Sequence, residues 1–231
     1  MRNLNIDQRE LQGSYNMAEK PQEMTGYVIP VGNGAVGKTS LAKVLGNFSA
    51  QIKNYSHLIN SISKTKNLEF EFIPTTIQIA DQPYKVLIQM LVPPGQKEDA
   101  GDQNSRSFNQ VMSIFQFYIK RVDVILFTYN LTSRESFNDL MFWQTAVEKY
   151  INEATHFILL GTHKDKLESI EVTEDQIKKG LEYLENEVKK NISGWKGKCT
   201  HLEVSNLTGE NFMKLFAYLA GAIFRSRSIM L

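Results

Sequence analysis

The chain is short of cysteine, of net charge and of long apolar runs, and each shortage narrows what it can be. Its 231 residues include one cysteine, Cys199, so no internal disulfide can form and a reducing, cytoplasmic compartment is expected. Lys and Arg number 26 against 25 Asp and Glu, a formal net charge of +1. A general nucleic-acid binder carries a strong basic excess, so no nucleic-acid partner is expected. The four histidines, His57, His156, His163 and His201, are scattered without zinc-site spacing. The first 25 residues are polar and lack the apolar centre of a signal peptide. The most apolar helical stretch, 212–224, has 13 residues interrupted by Lys214, too short to cross a bilayer. The final residues Ser228-Ile229-Met230-Leu231 offer no cysteine for prenylation, so membrane contact is expected to be peripheral at most. There is no internal repeat and no low-complexity tract. A hydrophobic content of 42% and a charged content of 22% describe an ordinary globule, long enough for one domain with an extension.

What is present is a phosphate-binding pattern in its proper setting. Gly32-Asn33-Gly34-Ala35-Val36-Gly37-Lys38-Thr39-Ser40 fits Gly, four residues, Gly-Lys-Ser/Thr. The apolar run Tyr27-Val28-Ile29-Pro30-Val31 before it has strand length, and Leu41-Ala42-Lys43-Val44-Leu45 after it has helical spacing. Strand, glycine loop and helix start together form a nest of backbone N–H groups facing the positive end of a helix dipole. Such a nest favours phosphate. Lys38 adds a full charge able to reach the outer phosphates, and Thr39 adds a hydroxyl for a magnesium ion bridging them. A chance glycine turn would match the bare pattern but not the strand and helix around it. A nucleoside phosphate is the expected ligand.

Residues 1–25 read as a polar extension. Beyond them the pattern predicts strands near 27–31, 76–80, 84–91, 122–129, 156–161 and 199–205. Helices are predicted near 38–47, 104–120, 133–151, 173–191 and 209–225. Asp123-Val124-Ile125-Leu126-Phe127-Thr128-Tyr129 and Phe157-Ile158-Leu159-Leu160 are nearly continuous apolar runs, as in strands buried on both faces of a parallel sheet. Two β-rich runs flank Asp81-Gln82-Pro83 and predict an antiparallel hairpin at the sheet edge. The sum is a doubly wound α/β domain with a mostly parallel six-stranded sheet, one antiparallel edge strand, and ligands at the carboxyl ends of its strands. Thr173-Glu174-Asp175-Gln176 predicts a capping box, and Phe212, Leu215, Phe216, Leu219, Ala220 and Ile223 predict a core-facing helix stripe.

Further motifs follow in order. Leu160-Gly161-Thr162-His163-Lys164-Asp165 resembles the base-reading Asn/Thr-Lys-x-Asp element of the Ras-like small GTPase superfamily, and Glu203-Val204-Ser205-Asn206-Leu207-Thr208-Gly209-Glu210-Asn211 resembles its last base loop. With the phosphate loop, these make the chain resemble the Ras-like small GTPase superfamily over about 200 residues. The resemblance implies a small G-protein fold over 26–231 with enlarged switch I (48–75) and switch II (96–108) regions, GTP/GDP and Mg²⁺ as ligands, and a switching activity. It implies that Asp165 accepts from the guanine N1 and N2 donors, a pair adenine lacks. Ser205, Asn206 and Leu207 would form the last guanine loop, with a backbone N–H near Asn206 donating to O6. His163 stands where family members usually carry a lysine, and its flat ring would stack on the base.

The resemblance is specific at its least usual point. Ras-like chains follow a strand with Asp-x-x-Gly-Gln, whereas here Met90-Leu91 leads into Val92-Pro93-Pro94-Gly95-Gln96. Val92 stands in the place of the acid that holds the magnesium through water. MglA-type polarity GTPases of bacteria and archaea carry a comparable Val-Pro-Gly-Gln run, and Leu68-Glu69-Phe70-Glu71-Phe72-Ile73-Pro74 also resembles theirs. That branch implies that Gln96 orients the attacking water, that Gly95 donates its N–H to the γ-phosphate, and that Lys38 offsets developing charge. Effector proteins and a GTPase-activating partner of roadblock fold follow from the same resemblance.

The nucleotide-sensing threonine has two candidates: Thr76 by Ras-like register, which would also ligate the metal with Thr39, and Thr65 by MglA-like register. The long segment between Lys38 and Thr76, with Tyr55, His57 and Leu58, offers a partner surface, and Arg106 an internal arginine finger. Three rivals stand beside a GTP-hydrolysing switch: a pseudo-GTPase acting as an interaction module, an adenine-nucleotide enzyme, and a scaffold with a vestigial loop.

Overall fold

The computed structural model describes residues 22–63, 67–79, 82–97, 107–115 and 121–229. Thr65, Asp81 and Arg106 lie outside the described residues, as does most of the 1–25 extension. Six strands form one sheet in the order β2-β3-β1-β4-β5-β6. They are β1 (Gln22–Val31), β2 (Glu69–Ile79), β3 (Gln82–Val92), β4 (Val124–Asn130), β5 (His156–Thr162) and β6 (Cys199–Glu203). All neighbours pair in parallel except β2 and β3, the expected edge hairpin.

The apolar runs explain the two-layered core. Along β4, Val124 and Leu126 face one layer, while Ile125, Phe127 and Tyr129 face the other. The first layer is closed by α1 (Lys38–Gly46) and α7 (Phe212–Ile229). The second is closed by α3 (Phe108–Phe115), α5 (Leu140–Val147) and α6 (Glu174–Asn191), with Trp143 at its centre. The stripe predicted for α7 packs as expected: Phe212, Leu215, Leu219, Ala220 and Ile223 are buried and Phe216 packs against them. The capping box also forms, with Thr173 Oγ1 accepting from the N–H of Gln176 and Gln176 Oε1 accepting from that of Thr173.

The elements depart from the predicted pattern in several places. The helix predicted over 133–151 divides into α4 (Arg134–Asn138), α5 and a 3-10 turn over Glu148–Tyr150. Asp139 sits between α4 and α5 with φ −72° and ψ −5°. A short helix, α2 (Ser56–Ile59), rises within the segment after α1. Strand β2 starts at Glu69, seven residues before the predicted start at 76, and carries Pro74 opposite Leu87. Proline is tolerated because β2 is an edge strand, where one side needs no N–H donor.

At the opposite end of the sheet from the loops, Asp123 is fully buried. Its Oδ2 accepts from the N–H of Tyr27 at 2.8 Å and from Arg227 at 2.7 Å. Its Oδ1 accepts from Ser226 Oγ at 2.8 Å and pairs with Arg121 at 3.2 Å. The node ties β1, β4 and α7 together. Among the described residues no helix is long and apolar enough to cross a membrane.

Candidate functional site

The glycine loop folds as its residues require. Gly32 has φ 145° with no space for a side chain against the carbonyl of Thr128, and Gly37 caps α1 with φ 93°. Between them Ala35 holds φ 62°, and Val36 turns its side chain into the interior. Gly34, Ala35, Gly37, Thr39 and Ser40 line a cavity of about 630 Å³ at the carboxyl ends of the strands. Lys38 is buried beside them, its Nζ donating to the carbonyls of Gly32 at 2.7 Å and Asn33 at 2.6 Å. Burial pushes its ammonium down from 10.5 to about 7.

The far end of the same cavity is built from the two base loops, and His163, Asp165, Asn206 and Leu207 line it. Ser205 Oγ donates to Asp165 Oδ1 at 2.6 Å and accepts from the N–H of Thr208, which fixes the carboxylate's orientation from beneath. Ser205 itself is buried, so it positions Asp165 and does not line the cavity. Thr162 is buried too, and its Oγ1 bonds the carbonyls of Val36 at 2.7 Å and Tyr129 at 3.0 Å. It locks the base loop to the phosphate loop. His163 has φ 61°, and its Nδ1 lies 2.9 Å from Thr162 Oγ1. Burial, then nearby Lys166, holds its ring below the ordinary histidine value, so it is neutral near pH 7.

Asn206 contributes more than a backbone donor. Its Nδ2 donates to the carbonyl of Gly37 at 3.1 Å, a second tie between the loops, and its buried Oδ1 has no partner among the described residues. Sequence reasoning assigned that side chain nothing. It also missed Ile59, Ile62 and Ser63, which bring the end of α2 and the residues after it onto the cavity wall. The apolar pair three residues apart was the available signal. Tyr55, expected on a partner surface, is instead buried, its N–H donating to the carbonyl of Leu207 at 2.8 Å. Leu58 packs against the core, and His57 remains exposed.

On the switch side, Pro93 and Gly95 line the cavity and Gln96 follows, its carbonyl accepting from the N–H of Phe108 at 3.1 Å. Gly95 lies so close to the phosphate loop that an added methyl would be 2.5 Å from Lys38 Nζ and 2.6 Å from the carbonyl of Asn33. Val92 is fully buried in the core and does not line the cavity. The expected role of Thr76 is corrected by strand register. Thr76 pairs with Lys85, whereas Glu69 pairs with Val92 beside the loop. Seven residues of extended chain put Thr76 roughly 24 Å from the site end.

The side chain of Asn33 turns away from the cavity. Its Oδ1 accepts from Trp143 Nε1 at 2.8 Å, and its Nδ2 donates to Asp139 Oδ2 at 2.5 Å. Asp139 Oδ1 receives Lys97 Nζ at 2.6 Å. Burial alone would raise the Asp139 carboxyl, but the hydrogen bonds from Lys97 and Asn33 outweigh it and hold it below the usual carboxylate range.

The donor set fits a nucleoside polyphosphate. A buried lysine amine and a left-handed glycine cap face one end, an oriented carboxylate and an unmatched buried carbonyl oxygen the other. Among the described residues no cluster of three or more His, Cys, Asp or Glu could hold a metal ion by itself. A magnesium ion here would rest on phosphate oxygens and the hydroxyl of Thr39.

The Ras family pattern matches residues 100–225, a stretch that takes in both base loops and lies beyond the phosphate loop. The Ras-related protein Rab-30 of Homo sapiens is 24% identical over 193 residues, covering 84% of this chain and 77% of that protein. Rab-12 of Homo sapiens is 24% identical over 180 residues, covering 75% and 64%. RABD1 of Arabidopsis thaliana is 24% identical over 168 residues, covering 71% and 70%. With the matched stretch spanning more than half of the chain on a six-stranded sheet of the Ras-like order, the protein belongs to the Ras family.

Proposed function

We propose that the protein is a guanine-nucleotide switch that hydrolyses GTP to GDP. The observation that carries this is one cavity with Lys38 and the glycine loop at one end and Asp165, braced by Ser205, at the other. The loop amides and Lys38 hold the β- and γ-phosphates, and Asp165 accepts from guanine N1 and N2. His163, Leu207 and the Ile59–Ile62 wall cover the base. Thr39 would hold a Mg²⁺ ion through its hydroxyl, and that ion would supply charge neutralisation. Gln96 orients water in line with the γ-phosphate, and Gly95 donates its N–H to that phosphate. Lys38 offsets the charge that develops as the bond breaks.

Among the described residues no arginine lines the cavity. An absent arginine commonly lowers the rate by about 10³- to 10⁵-fold, so hydrolysis is slow until an activating partner supplies a cation. The MglA-type pattern around Val92 supports a roadblock-fold protein in that role, with effectors reading the GTP state. Acid extraction of the purified protein, followed by competition of ATP against labelled GTP, tests the reading. GTP or GDP in the extract and poor displacement by ATP are expected; equal displacement removes the guanine assignment.

Val92 favours a second reading, a pseudo-GTPase that holds nucleotide as an interaction module. Single-turnover hydrolysis of parent and Gln96→Ala separates the two. A measurable rate that falls in the variant supports the enzyme, and GTP intact for days in both supports the module.

A further inference from the structure

A carboxylate shared between the phosphate loop and the residue after Gln96 has no part in the reaction described above. Asp139 takes Asn33 Nδ2 on one oxygen at 2.5 Å and Lys97 Nζ on the other at 2.6 Å. Asn33 is itself fixed by fully buried Trp143. Lys97 Nζ also lies 5.2 Å from the ring centre of Phe142, one turn along α5. The start of α5 therefore grips both the phosphate loop and the end of the Pro93–Gln96 segment.

The grip has a steric consequence at the cavity. Gly95 is held so close to the loop that a Cβ added to it would lie 2.5 Å from Lys38 Nζ. A phosphoryl group is larger than a methyl, so a terminal phosphate cannot enter the gap between Gly95 and Lys38 Nζ while the segment stays down. A diphosphate makes no such demand. Lys38 meanwhile satisfies two loop carbonyls.

We propose that the Lys97–Asp139 ion pair is a latch that holds the Gly95 segment on the phosphate loop and biases the protein toward a nucleoside diphosphate over the triphosphate. A ligand shifts a two-state equilibrium only by its differential affinity for the states, and the latch sets that difference. Lys97 and Asp139 act as positioning residues: they touch no nucleotide and work through Gly95. The proposal rests on the nucleotide-switch reading.

The side chains are 37% and 24% exposed, so the pair is screened but charge-assisted. Releasing it is expected to tighten triphosphate binding about 3- to 10-fold relative to diphosphate. The test uses the full chain and fluorescent derivatives of GDP and of a β,γ-imido GTP analogue, titrated at low and high salt. Lys97→Met keeps the stem over Phe142 and removes the charge. Asp139→Asn keeps an acceptor for Asn33. Both are expected to raise the triphosphate-to-diphosphate affinity ratio while the GDP affinity moves less than about twofold, and Lys97→Arg is expected to match the parent. Salt is expected to raise the ratio in the parent and leave it flat in Lys97→Met, which a purely structural pair would not produce. An unchanged ratio in both variants, or parallel loss of both nucleotides, overturns the latch while the switch reading stands. Failure of the parent to bind either nucleotide overturns both.

Discussion

Binding of a nucleotide polyphosphate in the cavity should draw a proton from solvent, and Lys38 sets the amount. Burial brings its ammonium from 10.5 to about 7. At pH 8 only about a tenth of the molecules then carry the charge. Phosphate oxygens within ion-pair reach favour the ammonium and restore an ordinary lysine value. The expected uptake is a substantial fraction of one proton per nucleotide at pH 8, where the nucleotide phosphates are already ionised. Titration calorimetry with GDP in buffers of high and low ionisation enthalpy reads this directly, as the slope of apparent enthalpy against buffer enthalpy. Lys38→Arg, which keeps its charge at every accessible pH, is expected to abolish the slope in whatever binding remains. A zero slope in the parent at pH 8 refutes the argument, because it would mean that Lys38 is charged before ligand arrives. The linked effect on folding has a definite sign. A base whose folded value lies below its unfolded value leaves the unfolded chain holding the extra proton between pH 7 and 10.5. The burial penalty is therefore complete below pH 7 and fades as pH rises through that window, by a total of about 5 kcal/mol. Bound phosphate removes it.

Other expectations follow from single contacts. Asp165→Asn replaces an acceptor with an amide that can donate, so affinity should move from guanosine to xanthosine diphosphate, the preference changing at least about 100-fold. Equal affinities for both bases in parent and variant would remove Asp165 from base reading. Asp123→Ala strips a fully buried carboxylate from Arg121, Arg227, Ser226 and the N–H of Tyr27. It should lower unfolding stability by about 3–5 kcal/mol in urea. A loss below about 1 kcal/mol would show that the arginines resolvate freely. Gly32→Ala places a Cβ against the carbonyl of Thr128 at φ 145°, so it should destabilise the fold as well as abolish nucleotide binding, both read from thermal melts with and without GDP.

Much of the architecture was legible in local pattern. The runs at 124–129 and 157–160 announced strands buried on both faces, Thr173 and Gln176 announced their capping box, and the α7 stripe announced its core face. Asp81-Gln82-Pro83 placed the edge hairpin between the right strands. Where reading failed, a nonlocal contact had decided the matter. The strand predicted from 76 begins at Glu69, its edge position accommodates Pro74, and the resulting register carries Thr76 away from the site. Tyr55 sat in a polar insertion and looked exposed until Leu207, far along the chain, took its N–H.

The amino-acid sequence by itself determined the chemistry on offer: a glycine loop with Lys38, a base-reading carboxylate at Asp165, Gln96 after Gly95, and no acid at Val92. These depend on residue type and spacing within a few positions, which linear order preserves. The tertiary structure alone decided which groups share the cavity, that Thr162 and Ser205 brace it from beneath, and that Asn33, Asp139 and Lys97 form one chain of bonds across more than a hundred residues. The reason is physical. Burial and hydrogen-bond pairing depend on neighbours that only folding supplies, and with them go the charge of Lys38 and the reach of every polar group around the phosphates.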